Sequence, residues 1–404
     1  MDLKSGYPYW AVKNGLMHAF PPLQADLRCD VAVLGAGITG ALIADELAAH
    51  GHAVAVLDRR DAGWGSTSAS TALLQYEIDT HMVDLAKRFG EVDAALAYRA
   101  CAEAIPLLQA RAKPFRDVEF ARMSSLYWAS KRRHARDLRD EYALRERHGF
   151  DMQWLERGDV RERYGFDAPC AILSALAARI DPYRMAYRLL ERLQRRGAHV
   201  FDRTHVEAIE VGPRSVALRT PGGARVVARH LVVAGGYESQ ALLRQRVASN
   251  RSSYAFITDP IADAALGPLR DTMAWESARP YLYLRTTADG RLLVGGDDDA
   301  IDVDAKRDAQ VGRKAGKLLE KVRTLFPHLP LQPAFSWAGT FAETQDGLPF
   351  FGAHAQHGPR VLFAMAYGGN GITYSMLGAG LLRAAIEQRR HPLAQLFGFA
   401  RLAR

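Results

Sequence analysis

The sequence predicts a mixed α/β fold in which one lobe carries a largely parallel β-sheet and a second lobe carries an antiparallel one. Three observations predict it. The aliphatic run 31–34 ends in Gly-x-Gly-x-x-Gly and continues into a helical pattern. Near residue 370, a second glycine-rich junction joins a strand pattern to a helical one. Between them, residues 250–335 alternate between apolar and polar side chains, as antiparallel strands do.

The first junction carries three glycines with separate expected roles. Gly35 permits a tight turn, Gly37 lets the backbone approach a pyrophosphate, and Gly40 lets the helix pack closely on the strand. The helix would direct its free N–H groups and the positive end of its dipole at the phosphates. This predicts a Rossmann-like domain with cofactor contacts from Gly35, Ala36, Gly37, Ile38, Thr39 and Gly40.

A carboxylate follows at the distance expected of a ribose-binding acid. The predicted strand 53–58 ends in Asp58, which lies 23 residues after Gly35. Arg59 and Arg60 come next and could hold a 2′-phosphate, but the Asp58 carboxylate would repel that phosphate, which argues against NADP. Strand, glycines, helix, strand and acid in register predict an adenine dinucleotide.

The segment 63–75 is rich in small and hydroxyl side chains. Such a segment suits close approach to a flat or charged ligand, although a serine-rich surface loop has the same composition. Its position just after Asp58 favours ligand contact, and the predicted contacts are Gly65, Ser66, Thr67, Ser68, Thr71, Ala72 and Leu73.

The second junction lies near the carboxyl end of the chain. A strand pattern at 361–366 is followed by Tyr367-Gly368-Gly369 and by a predicted helix, 373–387. The N-terminus of that helix could stabilise negative charge on a bound ligand. The predicted contacts are Gly369, Asn370, Gly371, Ile372 and Thr373.

The remaining patterns divide the chain. Residues 83–165 are largely helical, and Asp181-Pro182 predicts the start of a helix that runs to Arg196. Strand patterns at 199–201 and 228–236 return the chain to the first lobe, and residues 1–28 are expected to lie over it. The prediction is a dinucleotide-binding domain at 1–85, 166–248 and 334–404 and a substrate domain at 86–165 and 249–333.

Composition excludes several classes of protein. The chain has 404 residues, a net charge of +8 and 48% hydrophobic residues, which is ordinary for a globular enzyme. Its arginines are scattered, so we expect no nucleic-acid partner. Its three cysteines are far apart and predict neither disulfide nor metal site. Without a long apolar run we expect no signal peptide or membrane span, and hence a cytoplasmic protein. The oligomeric state stays open.

Together these segments resemble the D-amino-acid-oxidase-like (DAO) family of FAD-dependent oxidoreductases, which includes glycine oxidase and γ-glutamylputrescine oxidase. The resemblance covers most of the chain, with the motifs in family order. The matching pieces are 35–40 with Asp58, 65–70, Asp181-Pro182, His205-Val206, 232–236, 290–296, Thr344-Gln345-Asp346-Gly347-Leu348-Pro349 and Gly369-Asn370-Gly371-Ile372.

The resemblance implies FAD as the cofactor and a substrate domain inserted twice into a discontinuous FAD domain. It implies that Val206 contacts the adenine through its backbone and that Ala234 and Gly235 follow a cofactor-binding strand. It also places the junction 369–373 at the pyrimidine edge of the flavin. Reduced flavin carries negative charge there, which a helix N-terminus would stabilise.

Two departures from the family pattern bear on chemistry. Phe341 stands where glycine-oxidase-like members have an arginine for the substrate carboxylate, and an apolar ring cannot pair a carboxylate. Arg285 could take over that role, or could be an ordinary paired arginine of a strand. Gly339 stands where sarcosine-oxidase-like members have a cysteine that tethers the flavin, so we predict noncovalent FAD.

The resemblance implies oxidation of a small amine or amino-acid derivative by hydride transfer from its α-carbon to flavin N5, after which the imine is hydrolysed. Orientation and desolvation carry such a reaction, so we nominate no catalytic base. For the tyrosines among the pocket candidates, a core aromatic with a satisfied hydroxyl is an open alternative. The candidates are Gln75, Tyr254, Tyr283, Arg285, Phe341 and Tyr367.

Two other functions stay open from sequence. One is a dehydrogenase that passes electrons to a quinone or a carrier protein instead of O2. The other is a flavin-binding subunit of a complex without turnover of its own. Peroxide formation under air separates an oxidase from the first, and co-purification tests the second.

Overall fold

The computed structural model describes residues 2–301 and 303–403. The strands are β1 Leu27–Leu34, β2 Val54–Leu57, β3 Leu73–Gln75, β4 Ala121–Trp128, β5 Met152–Glu156, β6 Cys170–Arg179, β7 His199–Phe201, β8 Ala208–Val211, β9 Val216–Arg219, β10 Arg225–Val233, β11 Ser249–Pro260, β12 Thr272–Glu276, β13 Leu282–Thr286, β14 Arg291–Asp299, β15 Pro333–Glu343, β16 Phe350–Ala353 and β17 Val361–Met365. The α-helices are α1 Tyr9–Asn14, α2 Ile38–Ala49, α3 Ser66–Ala69, α4 Met82–Phe89, α5 Glu91–Ala112, α6 His134–Arg147, α7 Arg157–Tyr164, α8 Pro182–Arg195, α9 Asp263–Leu266, α10 Asp304–Asp308, α11 Val311–Leu325 and α12 Gly371–Ile386.

The first sheet has the order β16-β17-β10-β1-β2-β7, and β8 and β9 extend it from β10. Strand β1 pairs in parallel with both β2 and β10, and β10 pairs in parallel with β17. Val31, Ala32 and Val33 are completely buried, as aliphatic residues of a central parallel strand must be when both faces are covered. This sheet confirms the predicted α/β fold class.

The second sheet has the order β15-β11-β14-β13-β12-β4-β6-β3, with β5 paired to β6. Most of its pairs are antiparallel, including β11 with β14 and with β15. The structure corrects the predicted domain boundaries here. Strands β3, β6 and β15 lie in segments assigned to the first domain, yet they are strands of the second sheet.

Helix α5 is a second correction to the boundaries. It lies in the segment 86–165, which was assigned to the substrate domain, but it packs on the first lobe. Its Ala97, Tyr98 and Leu108 are completely buried in the same apolar cluster as Leu47 of α2 and Leu382 of α12. Helical periodicity predicts the helix but does not say which lobe its apolar face meets.

The predicted helix start at Asp181 is confirmed. Asp181 is the N-cap of α8, its Oδ1 accepts the Arg184 N–H at 2.9 Å, and Pro182 is the first helical residue. Its Oδ2 accepts a hydrogen bond from Asn14 Nδ2 at 2.8 Å, which links α8 to the N-terminal segment.

Asp181→Ala is expected to lower the free energy of unfolding by about 0.5–2 kcal/mol, because two partly buried donors lose their acceptors. Asp181→Asn is the comparison, since asparagine caps helices as well as aspartate but has only one oxygen, so it keeps the cap, loses the bond from Asn14 and should lose less stability than Asp181→Ala. Chemical denaturation of both variants measures the difference. Equal losses in the two would show that the cap contributes nothing to stability.

Between β14 and β15 the described part of the chain forms two helices, α10 and α11, which are separated at residues 309–310. No helix within the described residues is long and apolar enough to cross a membrane.

Candidate functional site

The first glycine junction has little room between strand and helix. Gly35 has a positive φ of 117°, and a Cβ on it would lie 2.3 Å from the Ala234 carbonyl oxygen. A Cβ on Gly40 would lie 1.8 Å from the Gly35 carbonyl oxygen. These distances match the tight turn and the close packing predicted for the two positions, since neither leaves space for a side chain.

Asp58 lies at the end of β2 against this junction. Its Oδ2 accepts the Ala36 N–H at 2.7 Å and its Oδ1 accepts the Arg60 N–H at 2.9 Å. Burial raises the pKa of the Asp58 carboxyl, and these two hydrogen bonds act in the opposite direction. Each oxygen keeps a further lone pair, so the carboxylate can still accept a hydroxyl donor from a ribose.

Arg59 and Arg60 both pair with Glu238, which follows β10. Arg60 binds the two carboxylate oxygens at 3.0 and 3.1 Å, and Arg59 contacts Oε1. Sequence reasoning missed Glu238, because its link to the arginines crosses 178 residues of chain. One carboxylate thus holds two guanidinium groups beside the end of the site that is predicted to bind the nucleotide.

The serine-rich segment folds into the short helix α3 next to the first junction. Thr67 Oγ1 accepts the Ile38 N–H at 3.0 Å, so the segment is attached to the start of α2. Ser66 Oγ is buried and, among the described residues, has no hydrogen-bond partner. Ser68 Oγ is already used, because it donates to the Gly65 carbonyl at 2.9 Å. Ser66 is therefore the hydroxyl that a ligand would satisfy.

The second glycine junction lies beside the first. The Thr39 and Ser375 hydroxyls are 2.8 Å apart, which joins the first turns of α2 and α12. At the junction itself, the Gly369 N–H donates to Asp79 Oδ2 at 2.8 Å, and Asn370 Nδ2 donates to the Glu77 carbonyl at 2.7 Å. Two helix starts separated by more than 330 residues thus face one space.

That space is one cavity of about 410 Å³, within the usual range for ligand sites. Of the predicted cofactor residues, Ala36, Gly40, Ser68 and Thr373 do not line it; Gly40 provides packing, and Thr373 Oγ1 donates to the Gln75 carbonyl at 3.3 Å. The predicted residues that line it are Gly35, Gly37, Ile38, Thr39, Asp58, Arg59, Arg60, Gly65, Ser66, Thr67, Thr71, Ala72, Leu73, Val206, Ala234, Gly235, Gly339, Gly369, Asn370, Gly371 and Ile372.

Arg285 is a correction to the pocket candidates. It does not line the cavity, and its guanidinium is almost completely buried. It donates to the carbonyls of Thr71 at 2.7 Å, Thr286 at 3.0 Å and Ile180 at 3.1 Å. Burial lowers the pKa of Arg285 to about 9. Its hydrogen bonds are used to hold backbone together, so it is not placed to pair a substrate carboxylate.

The other candidates line the cavity in different ways. Gln75, Tyr283 and Phe341 belong to its wall. The Tyr254 hydroxyl instead donates to Asp299 Oδ2 at 3.1 Å, and the Tyr367 hydroxyl donates to the Gly236 carbonyl at 3.1 Å. These two tyrosines are core aromatics with satisfied hydroxyls, which is the alternative that the sequence left open.

Several lining residues escaped the sequence analysis. Leu3 lines the cavity because the N-terminal segment runs along β15, where the Thr340 N–H donates to the Leu3 carbonyl at 2.9 Å. Residues 1–28 are expected from sequence to lie over the first lobe, and this hydrogen bond shows that Leu3 also meets the second sheet. Among the others, a group from the second sheet and from the loops after β3 and β12 bears on the substrate; it includes Asp79, Ser253, Trp275, Tyr281, Asp298 and Glu343. The run of three aspartates at the end of β14 was the sequence feature that could have indicated Asp298 as a site residue.

Comparison with known protein families identifies the family of this chain. The model of the DAO family, described as FAD dependent oxidoreductase, matches residues 30–385. The chain belongs to this family. As an FAD-dependent oxidoreductase it is an enzyme, and the cofactor of the family is FAD.

Two relatives illustrate how this oxidoreductase relates to proteins with known activities. It is 26% identical to glycine oxidase of Geobacillus kaustophilus over 92% of this chain and 96% of the relative. It is 25% identical to γ-glutamylputrescine oxidoreductase of Escherichia coli over 93% of this chain and 87% of the relative. Among solved structures, the crystal structure of glycine oxidase from G. kaustophilus gives a TM-score of 0.77 with 22% identity, covering 92% of this chain and 98% of that one. These structural likenesses establish the fold.

The residues of this FAD-dependent oxidoreductase fit the cofactor. The backbone at Gly35 and Gly40 leaves no room for side chains, and the buried Ser66 hydroxyl has no hydrogen-bond partner among the described residues. Gly37 and Asn370 begin the two helices whose N-termini border the cavity. All three cysteines lie within the described residues, and none lines the cavity, which supports the prediction that FAD is bound noncovalently.

Proposed function

We propose that this enzyme oxidises a small amine or amino-acid derivative by removing a hydride from the carbon that carries the nitrogen. The observation that carries the proposal is the single cavity that joins the nucleotide-binding junction at Gly35 to a chamber walled by Trp275, Tyr283 and Phe341. The relatives named above include two that act on amines, which supports this choice of substrate. The bound cofactor would supply the hydride acceptor, flavin N5.

The protein's own contribution would be orientation and exclusion of water. Trp275 is 4% exposed, stacks on Tyr127 with ring centres 3.7 Å apart, and donates to Ser125 Oγ at 3.1 Å, so its ring is rigidly placed in the cavity wall. Tyr283 is held by a 3.1 Å hydrogen bond with Ser253 Oγ. A rigid aromatic wall would hold the reacting carbon against the flavin, and the imine product would leave to be hydrolysed.

Anaerobic mixing with a panel of amines, N-methyl amino acids and polyamine conjugates tests the proposal. A substrate is expected to bleach the oxidised flavin band at about 450 nm. Peroxide formation on admission of air then distinguishes an oxidase from a dehydrogenase that uses a quinone or a carrier protein. If no member of the panel bleaches the flavin of a fully loaded enzyme, the proposal fails.

Acid precipitation of the purified holoenzyme is expected to release all of the FAD into the supernatant, because Gly339 offers no sulfur for a covalent link. Absorbance of the supernatant and of the washed pellet measures the partition. Yellow colour retained by the pellet would show a covalent attachment that the cavity lining does not explain.

A further inference from the structure

Three consecutive aspartates, residues 297–299, end β14, and the middle one lies in a different environment from the other two. The Asp297 carboxylate lies 3.1 Å from the ammonium of Lys314 and is also paired with Lys317, although its Oδ2 is buried without a hydrogen bond from any described residue. The Asp299 carboxylate also lies 3.1 Å from the Lys314 ammonium. Both carboxylates therefore belong to ion pairs with α11 on the outer side of the sheet, whereas Asp298 lines the cavity.

A β-bulge produces this arrangement. The register between β11 and β14 shifts between the pairs Ser252–Asp299 and Tyr254–Gly296, so one residue of β11 opposes two of β14. Asp297 adopts a positive φ of 51°, which is uncommon for a residue other than glycine. Bulges of this kind redirect a side chain and often lie beside active sites. Here the bulge directs Asp298 inward.

One oxygen of the Asp298 carboxyl lacks a partner, although Ser253 contributes a hydrogen bond to the group. The Asp298 Oδ1 is buried and has no hydrogen-bond partner within residues 2–301 and 303–403. Leaving a buried acceptor unsatisfied costs about 1–3 kcal/mol, and more for a charged group. A side chain that is directed into a ligand cavity at this cost points to a donor supplied by the ligand.

The surroundings favour a cationic donor. The carboxylates of Asp79 and Glu343 line the same cavity as Asp298, and the rings of Trp275 and Tyr281 line it at 78° to each other with centres 6.1 Å apart. Aromatic faces together with carboxylates are the combination that binds ammonium groups.

The nearby arginines are already engaged. Arg251 pairs with Glu343 at 3.0 Å, and Arg279 donates to the Asp79 carbonyl at 2.8 Å while its guanidinium lies 3.7 Å from the centre of the Tyr281 ring. Both line an adjoining recess, which Asp79, Asp298 and Glu343 also line, and neither lines the main chamber. Within the described residues, the arginines that line the main chamber are Arg59 and Arg60, at the nucleotide end beside Glu238.

From this juxtaposition we propose that Asp298 binds a substrate ammonium group, so that the enzyme selects cationic amines without a carboxylate near the reacting carbon. This inference rests on the proposed function and names its substrate class. An α-carboxylate would meet Phe341 and three carboxylates in the chamber, and Arg285 is not placed to pair it. Diamines and other polyamine-like molecules have the required charge.

Binding of two unreactive probes to the FAD-loaded enzyme tests the inference without turnover. Isothermal titration calorimetry would compare butyltrimethylammonium with butanoate, which have similar chains and opposite charge. Wild type is expected to bind the cation about ten-fold or more tightly than the anion, and Asp298→Asn is expected to lose about that factor for the cation. The flavin content of the variant should equal that of wild type.

Asp271→Asn is the matched control, because it removes the same charge from an exposed position just before β12 and should bind both probes as wild type does. Tighter binding of butanoate by wild type, or unchanged cation binding by Asp298→Asn, would overturn the inference. Failure of every amine to bleach the flavin would overturn the proposed function instead, since the probe measurement involves no reaction.

The cation affinity should also depend on pH. Burial raises the pKa of the Asp298 carboxyl to about 7. The negative charges of Asp79 and Glu343 also raise this pKa, whereas a hydrogen bond from Ser253 and the positive charge of Arg279 lower it. Above that pKa the carboxylate is charged and attracts the cation, so affinity for butyltrimethylammonium should rise between about pH 6 and pH 8. The quaternary probe does not titrate, and Asp298→Asn should flatten the curve. An equally steep curve in the variant would show that Asp298 is not the group responsible and would overturn its role.

Discussion

Gly40→Ala is expected to yield protein with greatly reduced FAD. A Cβ at this position would lie 1.8 Å from the Gly35 carbonyl oxygen, which is backbone and cannot rotate away. The start of α2 would have to move off the strand, and with it the N–H groups expected to bind the pyrophosphate. Overpacking costs about 1–3 kcal/mol, and about 1.4 kcal/mol is a ten-fold change in a dissociation constant, so we expect FAD affinity to fall roughly ten-fold or more.

The ratio of flavin absorbance to protein absorbance, followed by titration with added FAD, measures the change. Gly380→Ala in α12 is the matched control, because a Cβ there meets nothing within 4 Å. It should keep its flavin and gain up to about 1 kcal/mol of helix stability. Far-ultraviolet circular dichroism separates loss of cofactor from loss of fold. Full flavin content in a folded Gly40→Ala variant would contradict this account of the first junction.

Glu141→Gln is expected to lower the free energy of unfolding by about 3–5 kcal/mol, since it leaves the buried Arg145 with Glu77, 4.0 Å away, as its remaining anionic partner. Glu141 and Arg145 are both completely buried, and the Arg145 Nε donates to Glu141 Oε1 at 2.7 Å. Glu141 also accepts the N–H groups of Met82 and Val83 at the start of α4 and the hydroxyl of Tyr98. One carboxylate thus joins α4, α5 and α6, and replacing it weakens all three contacts.

Glu146→Gln on the exposed face of the same helix is the control and should change stability by less than about 0.5 kcal/mol. Burial acts to raise the pKa of the Glu141 carboxyl, but Arg145 outweighs it with help from other partners, and the pKa lies below its ordinary value. The contribution of the carboxylate is therefore present above the pKa of unfolded glutamate and is lost as pH falls through the lower folded pKa. The difference in free energy of unfolding between wild type and Glu141→Gln, measured by denaturant unfolding, should become smaller in acid. A difference that stays constant down to pH 3 would show that the charge of Glu141 is not its source.

The parts of the site that were predictable share a local cause. The glycines of the two junctions, Asp58 and the cap Asp181 act through backbone within a few residues of themselves, so spacing along the chain indicates them. The resemblance to a family extended this to Val206 and Gly339, both of which line the cavity. The fold class followed from the periods of the strand and helix patterns.

The parts that were missed depend on contacts between distant segments. Arg285 alternates in phase with Tyr283 on β13, so a strand pattern places both toward the site. Only the folded chain shows that three carbonyls, those of Thr71, Ile180 and Thr286, surround the guanidinium of Arg285. Likewise, the helical pattern of α5 does not indicate which lobe the helix packs against. Only the structure shows that it packs on α12.

The amino-acid order by itself predicted a dinucleotide at the glycine junction that follows the first parallel strand, because glycine conformation and helix polarity are local properties. Tertiary structure decided which charge the substrate chamber presents. Asp297, Asp298 and Asp299 are identical in sequence, and a bulge together with the lysines of α11 neutralises the outer two and leaves the middle one facing the cavity. Electrostatic character depends on which groups meet in space, and no spacing along the chain encodes that meeting.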